Sequence, residues 1–355
     1  MSYTNGLDNP ELYFQCKLYT GNGSDNNAIT FDQTDTSMQP DVVWIKSRSN
    51  SGYNHCLIDS VRGVTKVIRP NLTSDEDTYS DALKSFDSNG FTLDDDGSNG
   101  EMNTNTHTYV AWCWKAGTAW SNDASATGVG SLDSSGSKSA TAGFSIISFT
   151  GTETTTQSVA HSLSSTPEFI MSRPREVADN WGVFHESFSA QDYLFLNTTA
   201  AKGSAAQMWN SLPSSTVINM GDNAAVNDDG AMIMYAWNSV QGFSKFGTYT
   251  GNGDADGPVI WTGFRPAFVL QKNASATQGW QLQDNKREGY NGDNDLLQPH
   301  DSAAESGVNR IDILSNGFKV ITTDAGQNSS GTKYIYMAFA EAPFVNSEGV
   351  PGNAR

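Results

Sequence analysis

The amino-acid sequence predicts an all-β chain made of three tandem antiparallel β-sandwich units, of jelly-roll or lectin-like type. Nine Trp, twelve Tyr and seventeen Phe supply large apolar side chains, although only 37% of the residues are hydrophobic. Aromatic residues favour strands, and each can bury roughly 150–250 Å². A set of short landmarks also recurs three times in the same order, which is typical of internally repeated architectures. No window shows sustained helical periodicity with caps.

Each predicted unit opens with an aromatic strand that runs into a Gly turn. The three copies are LYTGNG (18–23), SFTG (148–151) and TYTGNG (248–253). Further along each unit, a Pro precedes an apolar strand, in PDVVWIK (40–46), PEFIM (167–171) and PAFVLQK (266–272). Pro suits the first residue of a strand because its missing N–H lies outside the hydrogen-bonded ladder.

The second half of each unit contains three further landmarks. A middle strand reads HCLID (55–59), WGVFH (181–185) and WQLQD (280–284), and Arg62 and Arg287 follow it at matching distance in the outer units. The outer units then carry a hairpin signal, Asn89-Gly90 and Asn316-Gly317, which the middle unit replaces with STVINM (215–220). Closing strands align as YVAW (109–112), MYAW (234–237) and YMAF (336–339).

These landmarks set the predicted boundaries. Residues 1–115 form unit one, with residues 9–15 as an N-terminal anchor, while 143–241 form unit two and 242–345 form unit three. Residues 116–142 are rich in Ser, Gly and Ala, and this composition predicts an extended linker with little packing of its own. Residues 346–355 predict a polar, peripheral tail.

The charge balance narrows the possible partners. A formal net charge of -18 repels nucleic acid and anionic membranes, so we expect neither as a partner. No apolar run approaches the length of a membrane span, and the N-terminus lacks the basic and apolar regions of a secretory signal. Cys16, Cys56 and Cys113 are too few for a disulfide framework and are expected to be small buried hydrophobes. We therefore expect synthesis and assembly in a cytoplasm.

Candidate chemistry is sparse. His185-Glu186 begins like a zinc-protease motif but lacks the second His, and alternation around Phe184 predicts an exposed His185. The best metal candidate is a group of four acids, Asp94, Asp95, Asp96 and Glu101, because hard carboxylate oxygens suit Ca²⁺. The EF-hand spacing is absent, so a solvated acidic turn is the favoured interpretation. We expect no catalytic residue and no cofactor beyond this weak Ca²⁺ candidate.

Exposed aromatic rings offer a second kind of site, since the apolar faces of sugars stack on them. Most of the nine Trp lie within the repeated landmarks and are expected in the core. Trp120 and Trp209 lie outside them, and we expect these two at the surface, as glycan-binding or interface residues.

The repeated runs resemble a group of structural and tail-fibre-like proteins of marine phages, especially those that infect cyanobacteria. The resemblance rests on the start GLDNPELYFQ (6–15) and on DSNGF (87–91), LFLNTT (194–199), GFSKFGTYTGNG (242–253), WTGFRPAFV (261–269) and YMAFAEAPF (336–344). It covers nearly the whole chain. It implies a virion component made in the bacterial host and supplies no catalytic residues.

We therefore expect a non-enzymatic phage structural protein, foremost a tail-fibre, spike or other appendage subunit that contacts the host. Expected partners are other virion proteins, further copies of the chain in a homo-oligomer with a trimer favoured, and a host surface glycan. Two alternatives stay open: a head decoration or knob protein, and a carbohydrate-binding adhesin with lectin-like β-sandwiches.

Overall fold

The structure, a computed structural model, describes residues 7–32, 36–97, 100–287, 291–292 and 295–351. Within this part the chain folds almost entirely into strands. Three short helical turns accompany them: a 3-10 turn at Pro10–Leu12, α1 at Ala124–Thr127 and α2 at Ala224–Asn227. The sequence-based prediction of an all-β chain with antiparallel sheets is confirmed.

The strands fall into three consecutive groups. The first group is β1 (Phe14–Thr20), β2 (Asn27–Thr30), β3 (Val42–Ser47), β4 (Cys56–Asp59), β5 (Lys66–Val67), β6 (Asp77–Thr78), β7 (Leu83–Asp87), β8 (Gly90–Leu93) and β9 (Thr108–Trp114). The second group is β10 (Thr118–Asn122), β11 (Ser134–Ser139), β12 (Phe144–Thr150), β13 (Gln157–Ala160), β14 (Phe169–Pro174), β15 (Gly182–His185), β16 (Asp192–Phe195), β17 (Gly203–Ser204), β18 (Val217–Met220) and β19 (Ala231–Trp237). The third group is β20 (Ser244–Thr250), β21 (Val259–Trp261), β22 (Phe264–Asn273), β23 (Gln281–Asp284), β24 (Ile311–Leu314), β25 (Gly317–Val320) and β26 (Lys333–Pro343).

Each group contains four strands in the same spatial order. The orders are β1-β9-β3-β4, then β12-β19-β14-β15 within a larger eight-stranded sheet, then β20-β26-β22-β23. We call these the first, second and third sheets. A smaller companion sheet accompanies each: β2-β8-β7, β13-β18 and β21-β25-β24. The predicted opening, middle and closing strands therefore occupy matching places in all three groups.

The strand register corrects the predicted alignment of the closing strands. Trp237 pairs with the first residue of β12, and Phe339 pairs with the first residue of β20. In the first sheet the residue at this place is Trp114, not Trp112. The prediction was therefore shifted by two residues in this strand, and it still chose the correct face because side chains alternate with a period of two.

The first sheet is buried on both faces. Val43 and Cys113 pack with Ile29 and Phe91 of the companion sheet. The other face, which includes Trp112 and Trp114, belongs to a central core shared by all three sheets. Burial on both faces explains why β3 and β9 are continuous apolar runs rather than alternating ones.

Aromatic side chains from all three sheets meet in this central core. The Trp114 ring lies 6.2 Å from Trp237 of the second sheet and 5.6 Å from Phe339 of the third, measured between centroids. Phe14, from the stretch that the sequence suggested as an anchor, stacks on Phe339 at 5.2 Å. Such pairs contribute about 0.5–1.5 kcal/mol each beyond their buried area. Phe14 is thus part of the core.

Hydrogen bonds link the three groups in a closed cycle. At each junction a backbone N–H of one group donates to a backbone carbonyl at the end of a central strand of the next. The bonded pairs are Glu76 to Arg175, Lys202 to Ala274, and Glu305 to Arg48, at 2.8, 2.9 and 3.0 Å. The first group therefore contacts the second, the second the third, and the third the first. We name these contacts the first–second, second–third and third–first junctions.

A second set of bonds follows the same cycle. The residue just before the fourth strand of each sheet uses an aromatic ring nitrogen to bond a backbone carbonyl of the neighbouring group. These pairs are Trp181 with Arg69, Trp280 with Phe195, and His55 with Gln298, at 3.0, 3.0 and 3.2 Å. All three rings are buried. The three junctions therefore share one geometry.

A buried Asn repeats in each group and joins the opening turn to the end of the companion sheet. Asn103, Asn227 and Asn328 are fully buried. Each side-chain oxygen accepts from the N–H that follows the opening Gly, at 3.0, 3.0 and 2.9 Å, and each amide donates to backbone carbonyls. The side-chain amide thus satisfies backbone groups that no strand partner reaches.

The Asn-Gly pairs do form hairpins, as predicted, but the turn residues differ. In both hairpins the two-residue loop ends at the Asn, and the Gly is the first residue of the following strand. A Cβ on Gly90 or Gly317 would stand 2.1 or 1.9 Å from a carbonyl oxygen of the adjacent strand. Gly is needed here because that strand passes too close for any side chain.

The predicted linker is wrong for most of its length. Within residues 116–142, β10 and β11 pair with each other, and β11 pairs with β12 at the edge of the second sheet. Small hydroxyl groups are accommodated in the packing: Ser134 donates to the Ala160 carbonyl at 3.2 Å. A Ser-rich composition suggested flexibility, but strand pairing uses the backbone and tolerates these side chains. Of the predicted tail, residues 352–355 lie outside the described residues.

Candidate functional site

A cavity of about 760 Å³ lies at the second–third junction and is the largest of the cavities described below. Its polar lining comes from both groups. The second group contributes Glu168, Glu186 and Ser239, and the third contributes Lys245, Thr262 and Asn316. A volume of this size falls within the range of small-molecule and cofactor sites. The cavity is incomplete without either group.

Antiparallel pairing brings the two glutamates together. Phe169 at the start of β14 pairs with His185 at the end of β15, so Glu168 and Glu186 stand side by side just beyond the paired strands. The backbone N–H of Glu186 donates to the carbonyl of Glu168 at 2.7 Å. Two carboxylates that are distant in sequence therefore share one wall of the cavity.

The electrostatics of this wall are asymmetric. Burial raises the pKa of the Glu186 carboxyl, the nearby Glu168 raises it further, and Lys245 lowers it. Glu168 accepts a hydrogen bond from the Ser239 hydroxyl. Lys245 donates to the backbone carbonyl of Trp261 at 2.7 Å. The cavity can thus offer carboxylate acceptors on one side and an ammonium group on the other.

Trp261 stands at the rim of this region and is 64% exposed. It ends β21 and pairs with Gly317. It lines a smaller cavity of about 250 Å³ that shares Asn316 with the large one. A third cavity, of about 360 Å³, shares Glu168 and Glu186 with the large one and is also lined by Leu212. We call these three neighbouring cavities together the junction groove.

The corresponding place at the third–first junction is nearly filled. A cavity of about 10 Å³ remains there, lined on one side by Ala267 and Asn285. These residues hold the positions of Glu168 and Glu186, because each pair flanks the matching strands and is joined by the same backbone bond. The opposite wall is formed by Glu11 and Gln15 of the N-terminal segment. The junction groove is therefore not a necessary result of the shared geometry. We call the second–third junction the open junction and the third–first junction the closed junction.

Trp120 and Trp209, the two Trp residues expected at the surface, do not form an exposed aromatic site. Trp209 is 1% exposed, and its ring lies 6.1 Å from that of Phe184 in the core, so its predicted exposure is wrong. Trp120 lies in β10, paired opposite Gly136, and is partly buried against the central core. Position outside the repeated landmarks did not indicate exposure, because an inserted hairpin and a loop can also cover the core.

The four acids of the Ca²⁺ candidate are directed to separate partners. Asp94 accepts from Lys84 at 3.0 Å, and Glu101 pairs with Arg69 at 2.8 Å. Asp96 is buried and accepts the backbone N–H of Asn103 at 3.1 Å, whereas Asp95 is exposed. Among the described residues, no group of three or more His, Cys, Asp or Glu side chains is arranged to hold a metal ion.

His185 is also placed differently from the prediction. It is fully buried and bonds the Ser187 hydroxyl through Nδ1 at 2.9 Å. Burial lowers the pKa of its imidazole to about 3, so the ring is neutral at pH 7. Alternation suggested exposure because Phe184 was assigned to the core, but both faces of this strand are buried.

Glu168, Glu186 and Trp261 are the residues of the junction groove that sequence reasoning missed. The signal for the acids is weak: the equivalent places are Asp41 and Ser60 in the first copy and Ala267 and Asn285 in the third, so the second copy alone carries an acid at both. Trp261 was assigned to the core with most of the other Trp residues.

Comparison with known proteins yields one match. No curated protein and no solved structure matches the chain. Among the described residues, no helix combines the length and the apolar character required to cross a membrane. A family model described as a domain of unknown function, DUF7483, matches residues 9–343, which include all three groups of strands. The chain therefore belongs to the DUF7483 family.

Proposed function

We propose that the chain is a non-enzymatic structural protein of a phage particle, serving as a tail-fibre, spike or other appendage subunit that contacts the host. In this proposal the three groups are β-sandwich units, each made of a four-stranded sheet and its companion, arranged about a pseudo-threefold axis. The closed cycle of three matching junctions is the observation that carries the structural, non-enzymatic role. The resemblance of the sequence to phage structural proteins supports the placement on a particle.

The closed cycle of three junctions favours a rigid molecule over an enzyme whose parts move during catalysis. Each junction combines a backbone hydrogen bond with a buried aromatic ring that bonds its neighbour, and the three share one aromatic core. Opening any junction would expose apolar surface and unpaired backbone groups, which is costly. A rigid molecule of this kind suits a mechanical role and the presentation of a surface that contacts the host.

The cycle also bears on the oligomeric state. Symmetric assemblies repeat one interface around an axis. Here one chain already repeats an interface three times, so a single copy can sit on the threefold axis of a partner. This favours the alternative of a head decoration or knob protein relative to a fibre made of three chains. Mass photometry of the purified chain separates the two: the mass of one chain supports the former, and three times that mass supports the latter.

The placement on the particle has a direct test. Antibodies raised against the chain, applied with gold labels to purified particles of the phage that encodes it, should mark either the tail or the head. Peptides of the chain should also appear in the mass spectrum of those particles. Particles that are free of the chain, after purification that retains known appendages, would contradict the proposal.

A further inference from the structure

We propose that the junction groove binds a neutral, hydroxyl-rich glycan chain. The inference rests on the proposed role in host contact, and it adds the ligand class and the residues. Two groups of strands build the groove, and its three adjoining cavities give it the elongated form that an oligosaccharide needs.

The exposed indole of Trp261 is the first argument. Large exposed apolar side chains on a folded protein often mark interaction sites when they lie beside a concave surface. Trp261 is the most exposed of the large hydrophobic residues described, and Val259 beside it is 41% exposed. The C–H faces of pyranose rings are flat and apolar, and they stack on such a surface. The strand backbone holds Trp261 in place through its pairing with Gly317.

The polar groups are the second argument. Sugar hydroxyls both donate and accept, so a site for them needs acceptors and donors close together. Glu168 and Glu186 supply carboxylate oxygens, and the Lys245 ammonium group supplies donors beyond the one given to the Trp261 carbonyl. The side-chain oxygen of Asn316, which lines both the large cavity and that of Trp261, has no hydrogen-bond partner within the described part of the chain.

Charge selects among glycans. The wall of two glutamates, on a chain with a net charge of -18, repels carboxylated and sulfated polysaccharides. Lys245 is the single cation among the residues that line the large cavity, and it is already bonded to the Trp261 carbonyl. Neutral chains meet no such barrier, and Leu212 at the far end offers a second apolar contact.

The third–first junction shows that the groove is not a by-product of the architecture. The same places there carry Ala267 and Asn285, and only about 10 Å³ of space remains. The second group instead carries two neighbouring acids at the corresponding places, where they line an open cavity of about 760 Å³. Two carboxylates held side by side on one wall repel each other, which argues for a ligand-related use.

The test uses the full chain on an array of neutral, acidic and amino-sugar oligosaccharides together with polysaccharide from the surface of the host bacterium. We expect binding to neutral glycans, and a loss of affinity of at least about tenfold in Trp261→Ala, equal to about 1.4 kcal/mol. The double variant Glu168→Ala, Glu186→Asn, which carries the residues of the closed junction, should lose a similar amount. Val350→Ala, which removes an apolar side chain that is 56% exposed elsewhere, should bind like the parent chain.

Each other outcome contradicts the inference. Blank neutral spots, preference for acidic glycans, or equal binding by Trp261→Ala with an unchanged melting temperature would overturn it. Loss of binding in Trp120→Ala but not in Trp261→Ala would move the site to β10. Release of reducing ends from bound polysaccharide would overturn a purely binding role. Particle labelling is measured separately, so a failed glycan test on a chain found in the virion rejects the groove and leaves the structural role.

Discussion

The second–third and third–first junctions have the same backbone hydrogen bonds, but their side chains leave cavities of different size. In the closed junction, Asp284 accepts a hydrogen bond from the indole of Trp112 in the first sheet at 3.0 Å. It also pairs with Arg287, and both side chains are fully buried. In the open junction, His185 and Met337 take the places of Asp284 and Trp112. A thioether has no N–H to donate, so this link across the junction cannot be repeated.

The comparison shows that one repeated frame can serve two purposes. The backbone bonds and the central aromatic core maintain all three junctions, so individual side chains at one junction were free to change. The closed junction holds Asp284 in internal pairs with Trp112 and Arg287. The open junction directs Glu168, Glu186 and Asn316 toward a cavity. If this division is correct, substitutions at the closed junction should mainly alter stability, and those at the open one should mainly alter binding.

The largest expected effect is the loss of the buried ion pair at the closed junction. Asp284→Ala removes the hydrogen-bonded acid of the buried Arg287 and leaves it only Glu305, at 3.8 Å, so we expect a loss of about 3 kcal/mol in the free energy of unfolding. Urea denaturation measures it. Asp229→Ala, which removes an exposed acid, should change stability by less than about 0.5 kcal/mol.

A second variant tests the cause of that loss. Replacing both partners, in Asp284→Leu with Arg287→Met, should cost less than the single change, because no charge is then left buried. A single variant as stable as the control would show that the pair does not hold the closed junction.

The next effect should be equal in the second and third groups, because it concerns the backbone frame that the groups share. Asn328→Ala and Asn227→Ala each remove a fully buried amide and leave backbone N–H and C=O groups without partners. We expect about 2–3 kcal/mol for each, measured by the same denaturation series. A difference of more than about 1 kcal/mol between the two would argue against a shared frame.

A pH dependence tests the burial of His185 at the open junction. In the folded chain burial lowers the pKa of His185 to about 3, whereas its ordinary value is 6.5. Between these values the unfolded chain binds a proton that the folded chain excludes, so stability falls as the pH falls below about 6.5. The loss should reach about 2 kcal/mol by pH 5, at about 1.4 kcal/mol per pH unit.

The matched variant is His185→Asn, which retains an acceptor for the N–H of Ser187. It should be less stable than the parent at pH 7, because it leaves a gap, but it should lose less stability between pH 7 and pH 5. Parallel stability curves for the two proteins would refute the buried neutral imidazole.

The sequence predicted the elements that depend on local pattern. The opening, Pro-led and closing strands all exist, and both Asn-Gly hairpins form, because alternation, Pro and Gly act on the backbone nearby. What it missed depends on tertiary packing. The Ser-rich segment pairs as strands at a sheet edge, Trp209 is covered by the core, and the cyclic contacts join residues far apart in sequence.

The groove shows the same limit. Glu168 and Glu186 meet only because β14 and β15 pair, and the exposure of Trp261 is set by its tertiary surroundings. Composition could identify the pool of aromatic and acidic residues, but it could not select these members. The buried pair of Asp284 with Arg287 was easier to predict from the sequence, because the first copy has the same spacing in Asp59 and Arg62. These two residues are also paired and buried.

The smallest effect concerns the wall of the groove. The pKa of Glu186 is raised above its ordinary value of 4.5, so the folded chain holds this proton more tightly than the unfolded chain does. Its contribution to stability is therefore present below pH 4.5 and is lost as the pH rises through that raised pKa. Glu186→Asn should then raise stability at pH 7 by less than about 0.5 kcal/mol and change it less at pH 4.

Glu348→Asn, at an exposed acid near the C-terminus, is the control and should show no such difference between the two pH values. A gain in stability that accompanies a loss of glycan binding would mean that the open junction retains an acid that folding alone disfavours. A loss of stability at pH 7 would instead assign Glu186 to the support of the junction, and the contrast between the two junctions would then lie in cavity size alone.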